Sequence, residues 1–181
     1  NNDGSGNIIQ LNTLLPPAMW AASKKKQLAE ALDVRSDSIL NYKTIGLFDV
    51  IVTNPPFGTK IPIDDQQILE QFELAHIWSN IPGKGWQQTA SLRSSVPPEQ
   101  LFVERIIQLL KPGGRAAIVL PDSIFSSPGL EFIRVWLLRN TRIIASIDLH
   151  ADTFQPHNGT QCSILFVVKK TKEEMDEERA M

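Results

Sequence analysis

The chain has 181 residues, 42% of them hydrophobic, and its charges nearly balance at 18 Lys+Arg against 20 Asp+Glu. That composition suffices for one domain with its own core and excludes a lone nucleic-acid binder resting on a general basic excess, so phosphate contacts would come from a local patch, a partner or further sequence. Cys162 is the only cysteine, which excludes an internal disulfide and a cysteine-based metal cluster, and no apolar run approaches the roughly 18 residues of a membrane span; the expectation is a soluble, cytoplasmic protein with no membrane partner.

In chain order, residues 1–6 are polar and glycine-rich and lead into the short apolar run Ile8-Ile9-Gln10-Leu11. Residues 23–32 combine Ser23 as a cap with good helix formers, and Lys24-Lys25-Lys26 read as a solvated first turn. Phe48-Asp49-Val50-Ile51-Val52-Thr53 is a strand. A helix is expected over 64–78, with Ile68, Leu69, Phe72, Ala75 and Ile77 as its apolar face. Residues 79–98, rich in glycine, proline and serine, read as a long loop able to fold over a substrate or to make an ordinary surface excursion. Residues 99–110 form an amphipathic helix that stops at Lys111-Pro112-Gly113-Gly114, and 115–120 form a buried strand delivered to Pro121. A helix over 129–139, strands over 143–149 and 162–168 joined by a loop, and a charged tail over 171–181 complete the chain. The division is a domain over 1–170 and a tail over 171–181. Strands alternating with helices give an α/β fold with a mostly parallel sheet; the last two strands, separated only by a loop, form an antiparallel hairpin at one edge.

The most telling feature is Asn54-Pro55-Pro56-Phe57-Gly58 at the end of the first strong strand. In open α/β sheets ligands bind at the carboxyl ends of strands. An adenine N6 lone pair is delocalised into its ring and becomes nucleophilic only when its N–H bonds are held out of plane. The Asn54 side-chain oxygen and the Pro55 carbonyl are two acceptors suited to that task, and the prolines add no competing N–H at their own positions. Pro55 and Pro56 also fix the loop, and Phe57 can stack on a base, a contact worth roughly 1–3 kcal/mol. The bland alternative is a strand ending in a proline turn with an apolar anchor. No serine has the histidine and acid of a hydrolase, and His76, His150 and His157 show no metal-ligand spacing, so no metal is assigned. Asp122 suits a turn or helix cap, Asp148 a pairing in the core, and Cys162 a small core residue.

Phe48 to Gly58 resembles the catalytic motif of S-adenosylmethionine-dependent amino-methyltransferases. The nearest are the adenine-N6 DNA methyltransferases, particularly the modification subunits of type I restriction–modification systems and their single-chain relatives. Three further segments match in the same order: 97–121, the strand over 143–149, and Phe154-x-Pro-x-x-Gly159-Thr160-x-x-Ser163-Ile164-Leu165. The resemblance covers nearly all of the chain after residue 45. It implies a Rossmann-like methyltransferase fold, incomplete on its N-terminal side, with Asn54, Pro55, Pro56 and Phe57 catalytic and Phe57 and Phe154 walling the target base. A loop-anchoring role for Phe154 is the alternative.

Upstream the match fails. Gly4-Ser5-Gly6 has no strand before it and is a weak glycine loop; by resemblance, 7–14 is instead the family's third strand, with Asn12 facing the cofactor adenine and Asn54 also at the cofactor edge. The expectation is a fragment lacking the main cofactor loop and inactive alone. Double-stranded DNA, a DNA-specificity subunit and a restriction subunit are the partners the resemblance implies. The alternatives are methylation of an RNA base or a protein glutamine amide, or a non-catalytic scaffold.

Overall fold

Four strands hydrogen-bond in the order β1 (Phe48–Thr53), β4 (Leu110–Pro121), β6 (Cys162–Lys169) and β5 (Thr141–Asp148) in the computed structural model, which describes residues 8–35, 39, 46–57, 61–156 and 159–180. The expectations placed on Gly4-Ser5-Gly6, Asn7, Gly58 and His157 lie outside the described residues. β1 and β4 run parallel, while β6 runs against both β4 and β5. Thus β1, β4 and β5 deliver their carboxyl ends to one edge of the sheet, and the antiparallel hairpin lies at its side as expected. The reversed strand β6 is slotted between β4 and β5. Its run Cys162-Ser163-Ile164-Leu165-Phe166-Val167-Val168 is apolar on both alternations, which suits an interior strand. β5, with Arg142, Ser146 and Asp148, suits the open edge.

The remaining elements are α1 (Ala22–Leu32), α2 (Gln66–Leu69), β2 (His76–Ile81), β3 (Gly85–Leu92), α3 (Pro98–Leu109), α4 (Ser123–Ser126), α5 (Glu131–Asn140) and α6 (Lys172–Ala180). Val103, Ile106 and Ile107 of α3 and Phe132, Ile133, Trp136 and Leu137 of α5 bury Ile118, Leu120, Leu165 and Val167 on one face of the sheet. The other face carries Val50 and Val52 of the edge strand, 59% and 78% exposed, with Ile147 of β5 half exposed. A doubly wound sheet normally has both faces covered; among the described residues only one is.

The Lys111-Pro112-Gly113-Gly114 stop signal does more than end α3. β4 begins directly at Leu110, and its register with β1 shifts between Phe48 and Val50, where the pairing jumps from Leu110 to Arg115. Gly113 takes a left-handed φ of 77°, and a Cβ on Gly114 would lie 2.8 Å from the Lys111 carbonyl and 3.1 Å from that of Phe48. Glycine is required for this close approach.

Several expectations are corrected. Residues 8–12 form no strand. The Asn12 side chain accepts from the Leu14 amide at 3.1 Å and its carbonyl from the Leu15 amide at 3.2 Å, and an asparagine turn of this kind competes with a strand ladder. Ser23 does not cap α1; it lies inside the first turn, which starts from Ala21 without a side-chain cap. The helix expected over 64–78 is only α2, capped by Asp65 Oδ1 on the amides of Gln67 and Ile68. Its extension is broken because the Glu104 carboxyl takes the amides of Glu73 and Leu74 at 3.0 and 2.8 Å. The expected apolar face holds at Ile68, Leu69, Phe72 and Ala75, all buried; Ile77 is exposed.

Residues 79–98 are not one loop. β2 and β3 form an antiparallel hairpin closed at Pro82-Gly83-Lys84, with Gly83 and Gly85 at positive φ. Trp78 stacks on Phe132 of α5 with centroids 6.0 Å apart, and Trp86 lies 6.3 Å from the same ring. The hairpin is therefore fastened to the helical layer.

Glu104 titrates in a useful window. Burial pushes its carboxyl up to about 8, against the pull of the Leu74 and Glu73 amides. The native state thus keeps a proton that the unfolded chain releases near 4.5, so this group costs nothing below that pH and progressively more stability as pH rises to 8. Lys169, pushed down to about 8 by burial, acts only above that window. In urea titrations at pH 5, 6.5 and 8, Glu104→Gln is expected to lose the Glu104 share of this decline. Parallel profiles for variant and parent would show that Glu104 is already ionised across the window.

Candidate active site

β1 ends where Thr53 pairs with Ile118 of β4, and Asn54-Pro55-Pro56-Phe57 leaves the sheet at its carboxyl edge. Two consecutive prolines cannot donate to a ladder, and each biases the residue before it toward extended backbone. Pro55 is buried and anchors the turn, Asn54 and Pro56 are exposed, and Phe57 is half-buried. No described residue hydrogen-bonds the Asn54 side chain or the Pro55 carbonyl. The Asn54 side chain, on an exposed residue, is free to accept from a donor such as an exocyclic amine.

Phe154 reaches the same place from the loop after β5. Its ring centroid is 5.6 Å from that of Phe57, with an interplanar angle of 76°, the edge-to-face contact that aromatic quadrupoles favour. The loop is shaped locally: Thr153 donates to the His150 carbonyl through its amide at 2.9 Å and its hydroxyl at 2.7 Å, and the Gln155 amide donates to Asp152 at 3.1 Å. Two aromatic rings separated by almost a hundred residues of sequence thus meet at the chain that follows Asn54 and Pro55. Such rings can offer a flat, apolar face to a base.

Asn12 does not join this cluster. Its side-chain oxygen is engaged by the Leu14 amide, and its carbonyl receives the Trp20 indole N–H at 3.1 Å. The surrounding segment packs through Ile9, Leu11 and Trp20 against Leu47 and Phe48, at the amino end of β1. A largely apolar cavity of about 410 Å³ lies there too, at the opposite end of the strand from Asn54. Before β1 the described residues contain a short 3-10 helix (Pro17–Met19), α1 and irregular chain, with no strand–glycine loop–helix unit among them.

Asp49, which belongs to the motif's strand, pairs with Lys111 at 2.8 Å on the surface. Asp148 is exposed and not paired in the core; it accepts from the Gln161 amide NH2 at 2.8 Å. Asp122 caps no helix with its side chain, which instead takes the Ser163 hydroxyl at 2.7 Å and ties the end of β4 to the start of β6. Cys162 is a buried core residue, and burial, with a smaller effect of Asp122, pushes its thiol up. Gln161 and the Asp122–Ser163 link escape sequence reasoning because single polar residues in loops carry no periodic or spacing signal.

The fold is an α/β arrangement with a mixed sheet, shared with solved class I S-adenosylmethionine-dependent methyltransferases. A protein described as such an enzyme from Listeria monocytogenes superimposes with a TM-score of 0.54 at 20% identity, over 80% of this chain and 40% of its own. A modification subunit described for a type I restriction enzyme of Vibrio vulnificus YJ016 does so with a TM-score of 0.52 at 22% identity, over 88% of this chain and 26% of its own. The family model for N-6 DNA methylases matches residues 17–180, and the chain belongs to that family. Among curated proteins it is 32% identical over 143 residues to the type I restriction enzyme EcoEI methylase subunit of Escherichia coli, covering 76% of this chain and 25% of that subunit. The chain thus spans about a quarter of the length of that relative. It is also 27% identical over 107 residues to the defense against restriction protein B of Escherichia phage P1, 56% of this chain and 5% of that protein.

Proposed function

We propose that this chain carries the base-handling part of an adenine-N6 DNA methyltransferase of a type I restriction–modification system. The observation that supports the reading is the Phe57–Phe154 contact at the carboxyl edge of the sheet, in the turn that also carries Asn54 and Pro55, whose side-chain oxygen and carbonyl have no hydrogen-bond partner among the described residues. In this reading a flipped adenine enters beside Phe57 and Phe154, at a stacking gain that offsets part of the cost of leaving the duplex. Asn54 and Pro55 accept the two N6 hydrogens and turn them out of the ring plane, which returns the lone pair to nitrogen. The same oxygens lie against the positive charge that grows on N6 as it is alkylated. Pro55, buried, and Pro56 hold that geometry in advance of substrate.

S-adenosylmethionine is the methyl donor the family uses, and in this reading it is gripped by residues outside the described ones, with Asn54 at its edge. Asn12 is not retained as an adenine contact, since its oxygen already serves a turn. Double-stranded DNA is the substrate, and a DNA-specificity subunit and a restriction subunit are the partners, by likeness to the relatives. The 181-residue chain by itself is expected to transfer no methyl group.

The test uses the full-length protein with its specificity subunit, tritiated S-adenosylmethionine and duplex DNA, followed by nucleoside analysis. Label is expected in N6-methyladenine. Label in RNA or in glutamine side chains of added protein, with unlabelled DNA, would replace this reading with one of the other amino acceptors. No label in any acceptor, from a protein that binds its partners, would point to a scaffold.

A further inference from the structure

We infer that Gln161 is a positioning residue that sets Phe154 against Phe57; this rests on the base-pocket reading above. The side-chain amide of Gln161 offers two hydrogens, and both its acceptors belong to the end of β5: Asp148 Oδ1 at 2.8 Å and the Leu149 carbonyl at 2.5 Å. Its own backbone carbonyl accepts the amide of Asp122, the first residue beyond β4, at 3.0 Å. The ladder continues one step further, with the Leu149 amide on the Cys162 carbonyl at 3.0 Å.

Leu149 and Gln161 are the two roots of the Phe154 loop, so this one residue cinches the loop closed and fixes its base to the ends of β4 and β5. β4 in turn pairs with β1, whose next residue is Asn54. Within the loop, the bonds donated by Thr153 and Gln155 all reach residues three positions back, and these shape the turn without placing it on the sheet. The Asp122–Ser163 bond fixes β6 to β4 but touches neither β5 nor the loop. Among the described residues, the Gln161 amide supplies the side-chain link from this root of the loop to the end of β5, beside the backbone bond from Leu149 to Cys162 and the Cys162 thiol's bond to the Thr160 carbonyl at 3.4 Å.

Gln161→Met keeps the length and removes both donors. In the full-length methyltransferase it is expected to lower kcat about tenfold with KM for the cofactor within about twofold, and to do almost nothing further in a Phe154→Ala background, because two residues that act as one unit are not additive. Gln161→Glu should be worse, setting a carboxylate against Asp148, and Asp148→Asn should recover part of that loss by reversing the donor. Hydrogen exchange of peptides spanning 149–156 is expected to rise in Gln161→Met with the melting temperature unchanged. Equal losses in the parent and Phe154→Ala backgrounds, or unaltered exchange in that segment, would overturn the assignment. A parent protein that methylates no adenine would instead remove the base-pocket reading, and the exchange measurement would still decide whether Gln161 holds the loop.

Discussion

Replacing Asn54 by alanine in the full-length protein is expected to lower adenine methylation turnover by roughly 10²–10³-fold, the loss typical of removing one preorganised polar group from a reacting centre. The side chain is exposed, lies at the carboxyl end of β1 and has no hydrogen-bond partner among the described residues. Removing it therefore breaks nothing in the fold. In the proposed base-handling role, what is lost is one of two acceptors for the N6 hydrogens, an interaction that strengthens as nitrogen rehybridises. Such a loss belongs to the transition state and falls on kcat, with cofactor affinity changed by no more than about twofold. Asn54→Asp keeps an acceptor oxygen and should fall less far. Single-turnover rates and calorimetric cofactor affinity separate the cases. Equal loss of rate and affinity would reassign Asn54 to cofactor binding, and a lowered melting temperature would reassign it to folding.

Most of the sheet was legible because each strand carries its own signal. Phe48 to Thr53 is rich in β-branched residues and is followed by prolines, and the apolar run of β6 reads as a strand, although its place inside the sheet is seen only in the structure. The direction of β6 followed from the loop that precedes it, too short for a crossover helix. The Phe57–Phe154 contact was legible only through the order of motifs, since no local pattern joins residues so far apart. What the sequence hid are places where tertiary contacts override local preference. The apolar spacing at Ile68, Leu69, Phe72 and Ala75 is helical, yet a carboxyl from α3 diverts the amides of Glu73 and Leu74. Residues 79–98 look like a loop by composition, and the alternation that pairs Trp78 and Trp86 onto Phe132 was outweighed by their glycines, prolines and serines. Asn12, expected in a strand, instead satisfies a turn.

Val50 and Val52 are exposed on the edge strand. They alternate with Ile51, which packs into the covered core, so the strand carries apolar side chains on both faces and is buried on one. Exposed β-branched residues on an edge strand favour pairing with other chains. The acceptors of the site sit at the end of this same strand. Packing on this strand therefore bears on the precision with which Asn54 is held.

Arg105→Ala is expected to destabilise the chain by about 3–5 kcal/mol, the sum of a cavity and an orphaned polar group. Arg105 is one of the most deeply buried side chains. Its Nη2 donates to Gln71 Oε1 at 2.5 Å and to the Leu14 carbonyl at 3.4 Å, and its guanidinium lies 4.7 Å from the centre of the Phe72 ring. Gln71 donates in turn to Leu14 at 3.0 Å, and its backbone carbonyl accepts from Gln108 at 3.0 Å. The guanidinium therefore joins three separate stretches: the segment before α1, the chain that follows α2, and α3. Alanine leaves Gln71 Oε1 buried without its donor and empties the space over Phe72, whereas Leu14 keeps its bond from Gln71. Arg105→Met refills most of the volume without the donors and should cost about 1–3 kcal/mol, which isolates the polar share. Urea unfolding of both variants at constant pH measures the two shares. A cost below about 1 kcal/mol for alanine, less than a buried orphaned acceptor requires, would mean that this region repacks and that the three stretches are held by their apolar contacts and by the bonds of Gln71 to Leu14 and Gln108.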